Sequence, residues 1–530
     1  MANQELFSSL SFRNADRGSL ESLARTTPQT DTLNSEISPA YSFRSEHALA
    51  QLVMTGCLNG TFYATASNQA DRIITLAKES NPEFVGKLAV YARSEGYMKD
   101  TPALLLAVLS TQDKEVFKQT FNQVIDDAKM LRNFVQIMRS GATGRSSLGS
   151  LPKRLVNEWL ENQTPTALFK QSIGSSPSLG DIIKMVHPKP DTEERKALYG
   201  YLIGGKYERD ALPVIAQEYL DYRDTREGPL PKVPFQLLDS LELTSDEWKQ
   251  VAQNASWSMA RQNLNTFARH GVFEDRILCE TIARRLADTD LIDQARPFPY
   301  QLMVAYKNAS EEVPDIVKFS LEIAMERALK NVPQIEGNVV ICPDVSYSMT
   351  DPVTGNRRGS SSSVRCIDVA SLTASALLQK NRSATVLPFD NNVIDIDLSE
   401  AKSVLANADR LARKGGGGTE CSVPLSALNE ANAKVDVVIF ISDNESWVVE
   451  DTRGGTAMLH EWEALKQRNP NAKLICIDIV PNETTQAPDK RGDILNVGGF
   501  SDQVFTIMNQ FINGELDDGG WTSKIEQIEI

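Results

Sequence analysis

With 530 residues, 41% of them hydrophobic, the chain holds enough apolar material for two or three domains with cores of their own, which excludes a disordered or fibrous protein. Its formal net charge of −15 argues against a uniformly cationic nucleic-acid binder, but the acidity is uneven: residues 335–530 carry 28 acidic and 17 basic side chains, hence −11, and the first 334 residues only −4. Six scattered cysteines and four histidines without metal-ligand spacing argue against a disulfide scaffold and against a thiolate or histidine metal centre.

Residues 1–18 show no charged segment followed by an apolar run, and no stretch approaches the roughly 18 apolar residues of a membrane span, so a cytoplasmic protein with no membrane contact is expected. Residues 1–40, polar and rich in Ser and Thr, read as a flexible or loosely docked arm. Helical periodicity then runs to about residue 331. Ile73, Ile74, Leu76 and Ala77 form one apolar face, and Phe84, Val85, Leu88, Ala89 and Ala92 form the next, after Pro82 near a helix start. Thr101-Pro102 opens another helix, and more are predicted over 116–128, 131–138, 151–160, 194–202, 212–222, 246–268, 276–286 and 315–329. Many amphipathic helices on short loops suit an α-solenoid, in which each pair buries its apolar face on its neighbours. Within this region, residues 128–157 hold Lys129, Arg132, Arg139, Arg145, Lys153 and Arg154 and no carboxylate, a footprint for phosphate on an acidic protein.

At Glu336-Gly337-Asn338 the period changes. The short apolar runs 339–342, 384–389, 435–441 and 474–480 alternate with helix-like segments 364–378, 400–412 and 457–466, the pattern of a parallel sheet covered on both faces. The expected fold is therefore a doubly wound α/β domain, followed from about residue 515 by an appended tail. Its first strand runs into Asp344-Val345-Ser346-Tyr347-Ser348, and ligands in such sheets bind beyond the carboxyl ends of the strands. Two more segments should reach that crevice: Gly415 to Thr419, and Asp443 at the exit of the strand 435–441. Together they offer three hydroxyls (Ser346, Ser348, Thr419) and two carboxylates (Asp344, Asp443), a hard all-oxygen set that suits Mg²⁺ with a position left open.

This constellation resembles the metal-ion-dependent adhesion site of von Willebrand A domains. The resemblance implies Mg²⁺ held directly by Ser346, Ser348 and Thr419, with Asp344 and Asp443 acting largely through water or through contacts to the direct ligands, and an open position that takes a partner's carboxylate. The segments Gly417-Gly418-Thr419-Glu420-Cys421-Ser422-Val423-Pro424 and Ser442-Asp443-Asn444-Glu445-Ser446-Trp447 are similar to those of the Ro (TROVE) family. So are Gly60-Thr61-Phe62-Tyr63, Lys184-Met185-Val186-His187-Pro188-Lys189-Pro190 and Arg261-Gln262-Asn263-Leu264.

The family resemblance covers residues 41–515. It implies an α plus α/β protein in which a ring of HEAT-like helical repeats (41–334) joins a von Willebrand A domain (335–515), between the arm 1–40 and the tail 516–530. It further implies Y-like noncoding RNA on the ring's outer surface, single-stranded 3′ ends of misfolded RNA in its central hole, and cooperation with the exoribonuclease polynucleotide phosphorylase. A monomer is expected. The candidate RNA contacts are Arg139, Arg145, Lys153, Arg154, Lys170, Lys184, His187, Lys189 and Arg261, of which Lys170 and His187 match family RNA-contacting positions. Two departures stand out: Gly174 replaces a second basic residue after Lys170, and Arg296-Pro297-Phe298 replaces His-Pro-Phe. The polar loop 351–363, with Arg357 and Arg358, lies beside the metal motif and is expected to bear on access to it. No catalytic activity is expected, because the hydroxyl-rich site offers no histidine base. The competing reading is a Mg²⁺-dependent protein-interaction scaffold, which would have no need of the basic stretch 139–154.

Overall fold

The computed structural model describes residues 28–530 apart from 57, 60, 239–240, 298, 356–363, 399–402, 447–454, 481, 489–490 and 517–519. Chain packing divides the described residues into two compact units: one from within 28–80, 292–308 and 321–527, the other from within 81–291, 309–320 and 528–530.

The second unit is helical throughout its described residues. Its first helices are Pro82–Ser94, Asp100–Gln112, Lys114–Val124, Ala128–Ser140 and Ser150–Asn162. Each start has a local cause: Asn81 accepts from the Glu83 N–H ahead of Pro82, Asp113 from Glu115 and Val116, and Asp127 from Met130. Phe117, Phe121 and Phe134 close a fully buried aromatic triangle with centroids 5.6–6.0 Å apart, each burial being worth roughly 1.5–3 kcal/mol. The helix expected over 246–268 is three: Ser245–Asn254, Trp257–Gln262 and Leu264–Arg269. Ala255 turns extended and the Ser256 side chain caps the next start by accepting from Met259, so a serine inside the periodic pattern restarts the helix. Arg195 is buried at 6% exposure and donates to the Leu160, Glu161 and Gln163 carbonyls, satisfying the end of Ser150–Asn162.

In the first unit, five strands form a parallel sheet in the order β4-β3-β5-β6-β8: β3 (Val339–Pro343), β4 (Thr385–Val386), β5 (Val437–Ser442), β6 (Lys473–Asp478) and β8 (Ile494–Gly498). One face, with Val340, Cys342, Val438, Phe440, Leu474 and Cys476, packs on the helices Val423–Glu430 and Ala457–Arg468 around fully buried Trp462. Ile341, Ile439, Ile475 and Ile477 are buried as well, and the helices Cys366–Lys380 and Asp502–Ile512 also pack on the sheet. The strands are thus apolar on both sides, as doubly wound sheets require. The edge strand β8 and the helix Asp502–Ile512 escaped the sequence reading. So did the shortness of β4, two residues where 384–389 was expected. The five described cysteines, Cys279, Cys342, Cys366, Cys421 and Cys476, are buried free thiols, and Cys57 lies outside the described residues.

The described part of the expected arm is not loose. Residues 32–33 (β1) and 39–42 (β2) pair antiparallel, and β2 pairs in turn with Thr484–Thr485 (β7). The Asn34 side-chain oxygen accepts from the Glu36 and Ser38 N–H groups while its amide donates to the Ser446 carbonyl at 2.7 Å. Polar composition hid an Asx-turn hairpin whose hydrogen bonds lie across the sequence, and residues 1–27 are outside the described set. The helices Ser45–Thr55 and Ala66–Glu79, assigned by sequence to the repeat region, also pack within the first unit, with the Gln51 amide donating to Asp478 at 2.8 Å. Nor is the tail a mere appendage, since Trp521 is 1% exposed and donates its indole N–H to His47 Nε2 at 2.9 Å.

Candidate functional site

The strand register builds the cluster of hydroxyls and carboxylates. Pro343 pairs with Ile441, so β3 and β5 end side by side, and the Asp344 N–H continues the ladder to the Ile441 carbonyl at 2.9 Å. Asp344 and Asp443 therefore leave the sheet together. The Gly-rich segment is laced to the first loop: Gly416 N–H donates to the Val345 carbonyl at 3.0 Å, and Tyr347 N–H to the Gly417 carbonyl at 2.9 Å. Gly415 sits at φ +87° with the Val345 carbonyl oxygen 1.9 Å from where a Cβ would stand, so only glycine fits. Thr419 follows within two residues of that lacing.

All five expected ligands are buried: Asp344 and Ser346 at 0%, Asp443 at 1%, Thr419 at 2% and Ser348 at 8% exposure. The Ser348 hydroxyl donates to Asp443 and lies 3.2 Å from the Ser346 hydroxyl, and Asp344 accepts from the Ser346 N–H at 2.8 Å and from the Ser442 hydroxyl. Burial and then the neighbouring Asp443 charge push the Asp344 carboxyl up to about 7, and burial raises Asp443 as well. A divalent cation would relieve that repulsion. Among the described residues no three His, Cys, Asp or Glu side chains converge to hold a metal, and what gathers here is an all-oxygen set of three hydroxyls and two carboxylates. Sequence reasoning missed Ser442, whose hydroxyl donates to Asp344 and fixes it. Arg357, Arg358 and Trp447 fall outside the described residues.

The helical unit gathers most of the expected RNA contacts. Arg139, in the last turn of Ala128–Ser140, and Lys184, in the last turn of Leu179–Val186, both act on the Asp181 carboxylate, whose pKa is lowered chiefly by the Ser178 capping hydrogen bonds. Asn157 donates to the Val186 carbonyl at 3.3 Å, tying the end of Leu179–Val186, with His187 and Lys189 just beyond it, to the helix bearing Lys153 and Arg154. The Arg145 guanidinium folds back over Gly149 at the start of that same helix. All seven of these basic side chains are exposed. Arg154 makes an exposed ion pair with Glu158 at 3.5 Å, worth little in water. Among the described residues no ion pair engages Arg139, Arg145, Lys153, Lys184 or Lys189. His187 caps its helix through the backbone at φ +54° while its imidazole stays exposed.

Lys170 and Arg261 lie elsewhere. Lys170 ends the helix Pro165–Lys170, and the next residue, Gln171, accepts from the Ala128 N–H, at the opposite end of the helix that carries Arg139. Half-buried Arg261 lies 5.9 Å over the ring of Trp257 on its own short helix. Near Lys170, Gly174 has a consequence that its type alone conceals. At φ +110° it faces Arg132, with Nη2 2.8 Å from a would-be Cβ, so a guanidinium fills the space that a side chain at 174 would take. We expect Gly174→Ala to displace Arg132 from the Gln171 carbonyl, 3.3 Å away, and to lower stability by roughly 1–3 kcal/mol, read as a shifted urea midpoint. An unchanged midpoint would show that Arg132 does not rest on the glycine. Arg296 is exposed at φ +43° and ends the helix Thr289–Ala295, and Phe298 lies outside the described residues.

Residues 338–512 match the family described as the Ro60 vWA domain. Two curated proteins, each named RNA-binding protein RO60, are similar to the chain. The one from Deinococcus radiodurans is 23% identical over 92% of this chain and 98% of its own length, and the one from Caenorhabditis elegans is 24% identical over 45% of this chain and 37% of its own. Among solved structures, that of the Deinococcus radiodurans RO (RSR) protein superimposes with a TM-score of 0.61 at 19% identity, covering 89% of this chain and all of that one. This likeness shows a shared fold: a helix-rich N-terminal region and a parallel-sheet A domain.

Proposed function

We propose that the chain is a Ro-type protein with a C-terminal von Willebrand A domain and that it binds RNA, with the cluster Arg139, Arg145, Lys153, Arg154, Lys184, His187 and Lys189 as its phosphate-facing surface. The observation that carries this reading is the convergence of exposed cations from three helix ends and one loop of an acidic protein, five of them outside any ion pair among the described residues. Lys170 and Arg261, also expected to touch RNA, lie apart from this cluster. Backbone neutralisation of this kind binds structured or single-stranded RNA with little base readout and weakens steeply with salt.

In finer detail, the partners are Y-like noncoding RNA on the outside of a helical ring and single-stranded 3′ ends of misfolded RNA in its hole. In the cytoplasm the protein works as a monomer in RNA quality control or as an adaptor for an exoribonuclease such as polynucleotide phosphorylase. Sequencing RNA that co-purifies with the tagged chain tests this: recovery of discrete small structured RNAs is expected, and recovery of bulk RNA in proportion to its abundance would refute it. The protein itself is not proposed to catalyse a reaction. His47 stacks on Phe43, His270 stacks on Trp248, His460 is buried in its helix and His187 is a helix cap, so none stands ready as a base beside the hydroxyl cluster.

The second proposal concerns the A domain, where Ser346, Ser348, Thr419, Asp344 and Asp443 would hold Mg²⁺. When bound, the cation would neutralise the two carboxylates and offer a Lewis-acidic position to an acidic ligand. Mg²⁺ at a hundredfold excess over its Kd should stabilise the chain by about 2.7 kcal/mol, and Asp344→Ala should erase that increment while leaving RNA affinity unchanged. Equal melting temperatures with Mg²⁺ and with a chelator would count against the site.

A further inference from the structure

Within the helical unit lies a cavity of about 300 Å³, lined by none of the residues of the basic cluster. Its walls come from the strap 230–233, the short helix Phe235–Leu238, the C-terminal part of the helix Ser245–Asn254, and Met259 on the helix Trp257–Gln262. Phe235, Leu238, Val251 and Met259 give it an apolar lining, and Trp248, 2% exposed, backs Phe235 with ring centroids 6.2 Å apart. Two lining residues carry polar side chains, Lys232 and Asn254, and both are exposed. Among the described residues no hydrogen bond or ion pair engages either side chain. No lining residue carries a carboxylate.

The walls are held in place. Pro229, Pro231 and Pro234 each fix a backbone angle, so the strap cannot sink into the gap as a flexible loop would. Leu237 N–H donates to the Pro234 carbonyl at 2.9 Å and the Tyr219 hydroxyl to the Leu237 carbonyl at 3.2 Å, which ties the strap's far end to the helix Val214–Thr225. Across the cavity, the helix Ser245–Asn254 is pinned at both ends: the Ser245 hydroxyl donates to the His270 carbonyl at 3.0 Å, and Arg285 donates to the Ala252 and Gln253 carbonyls at 2.8 and 2.7 Å. Arg285 thereby satisfies carbonyls of the last turn, and the Asn254 carboxamide is left for a ligand. A cavity organised in advance in this way costs little ordering entropy when it is filled.

An apolar slot with one carboxamide, one ammonium and no carboxylate suits a flat heteroaromatic ring attached to a phosphate. Among the bases a carboxamide matches adenine, donating to N7 and accepting from the N6 amino group, whereas guanine pairs with a guanidinium or ammonium, cytosine needs a carboxylate, and the corresponding edge of uracil offers only an acceptor. We propose that this cavity captures one unpaired adenosine of a bound RNA strand, with the ring against Phe235 and Met259, its N6/N7 edge on Asn254 and its phosphate on Lys232. The proposal rests on the RNA-binding reading above and adds base selection to it. A base inside an A-form duplex stays stacked and cannot enter, so the site selects single-stranded segments.

The test measures, by anisotropy at fixed salt, binding of the full chain to a short oligouridylate carrying one central adenosine and to the same oligouridylate without it. The wild type is expected to hold the adenosine-containing strand about tenfold more tightly. That preference should vanish with 7-deazaadenosine, which lacks N7 and leaves the protein unaltered, and in Asn254→Leu, whose exposed position spares the core. Lys232→Ala should flatten the log–log salt dependence by about 0.7, the loss of one phosphate contact on a single strand. A preference absent in the wild type, or surviving either change, overturns the proposal alone, as does an unchanged slope in Lys232→Ala. Adenosine monophosphate that competes as well as the strand itself would make a free nucleotide the ligand and overturn the RNA source. Failure of the wild type to bind either strand or any co-purifying RNA overturns the RNA-binding reading and the proposal with it.

Discussion

Alanine at Arg139, Lys153, Lys184 and Lys189 together is expected to cut RNA affinity roughly 100-fold near 0.1 M salt and to flatten the log–log salt dependence by about 3, the loss of four phosphate contacts. These four are chosen because they are exposed, make no ion pair among the described residues and come from three converging elements. Their removal leaves the apolar core untouched, so circular dichroism and melting should stay those of the wild type. Arg154→Ala is the built-in comparison: its guanidinium already faces Glu158, so its removal should cost less. Anisotropy titrations at several salt concentrations read the slope directly, and a fourfold variant whose slope matches the wild type would mean that RNA, if bound, contacts another face. Arg195 must be kept out of such a series. It is buried against three carbonyls, and its loss would unfold a helix end rather than report on RNA.

Gly415→Ala should be the most damaging single change near the cluster of hydroxyls and carboxylates. The residue sits in the left-handed region, which costs an alanine about 1–2 kcal/mol, and the new methyl would collide with the Val345 carbonyl oxygen rather than with a yielding side chain. Together with the forced backbone shift, a loss of roughly 2–5 kcal/mol is expected. Because Gly416 and Gly417 hydrogen-bond to Val345 and Tyr347, the displaced strand of backbone would also pull Ser346 and Ser348 away from Asp443. The variant should therefore lose the Mg²⁺-dependent rise in melting temperature even at temperatures where it is still folded. Gly416, also at positive φ but with open space around its would-be Cβ, is the control and should give up only the backbone strain. Equal Mg²⁺ responses in the Gly415 and Gly416 variants would show that the close approach does not shape the site.

Much of this was legible from residue order. Apolar runs of four to seven residues alternating with amphipathic segments gave the parallel sheet, because a strand buried on both faces cannot alternate. The Asp-x-Ser-x-Ser motif, the glycine run and Asp443 pointed to one crevice because the carboxyl ends of parallel strands must lie on one edge. Helices with strong capping signals, such as Pro82–Ser94 and Arg276–Ala287, were found within a residue or two, whereas Pro165–Lys170 was missed because six residues are too few to show a period.

What residue order determined about this protein, then, is whatever follows from periodicity and local chemistry: a helical region, a doubly wound A domain, five oxygen-bearing side chains at one end of its sheet and a carboxylate-free basic stretch. Tertiary structure alone decided that the hairpin 32–42 and the helices up to residue 80 pack with the A domain, that Ser442 holds Asp344, and that Arg132 fills the space beside Gly174. The reason is the same in each case. These contacts join residues far apart in the chain or depend on a missing side chain, and their energy comes from specific hydrogen bonds and excluded volume rather than from any repeating pattern that a window of sequence can carry.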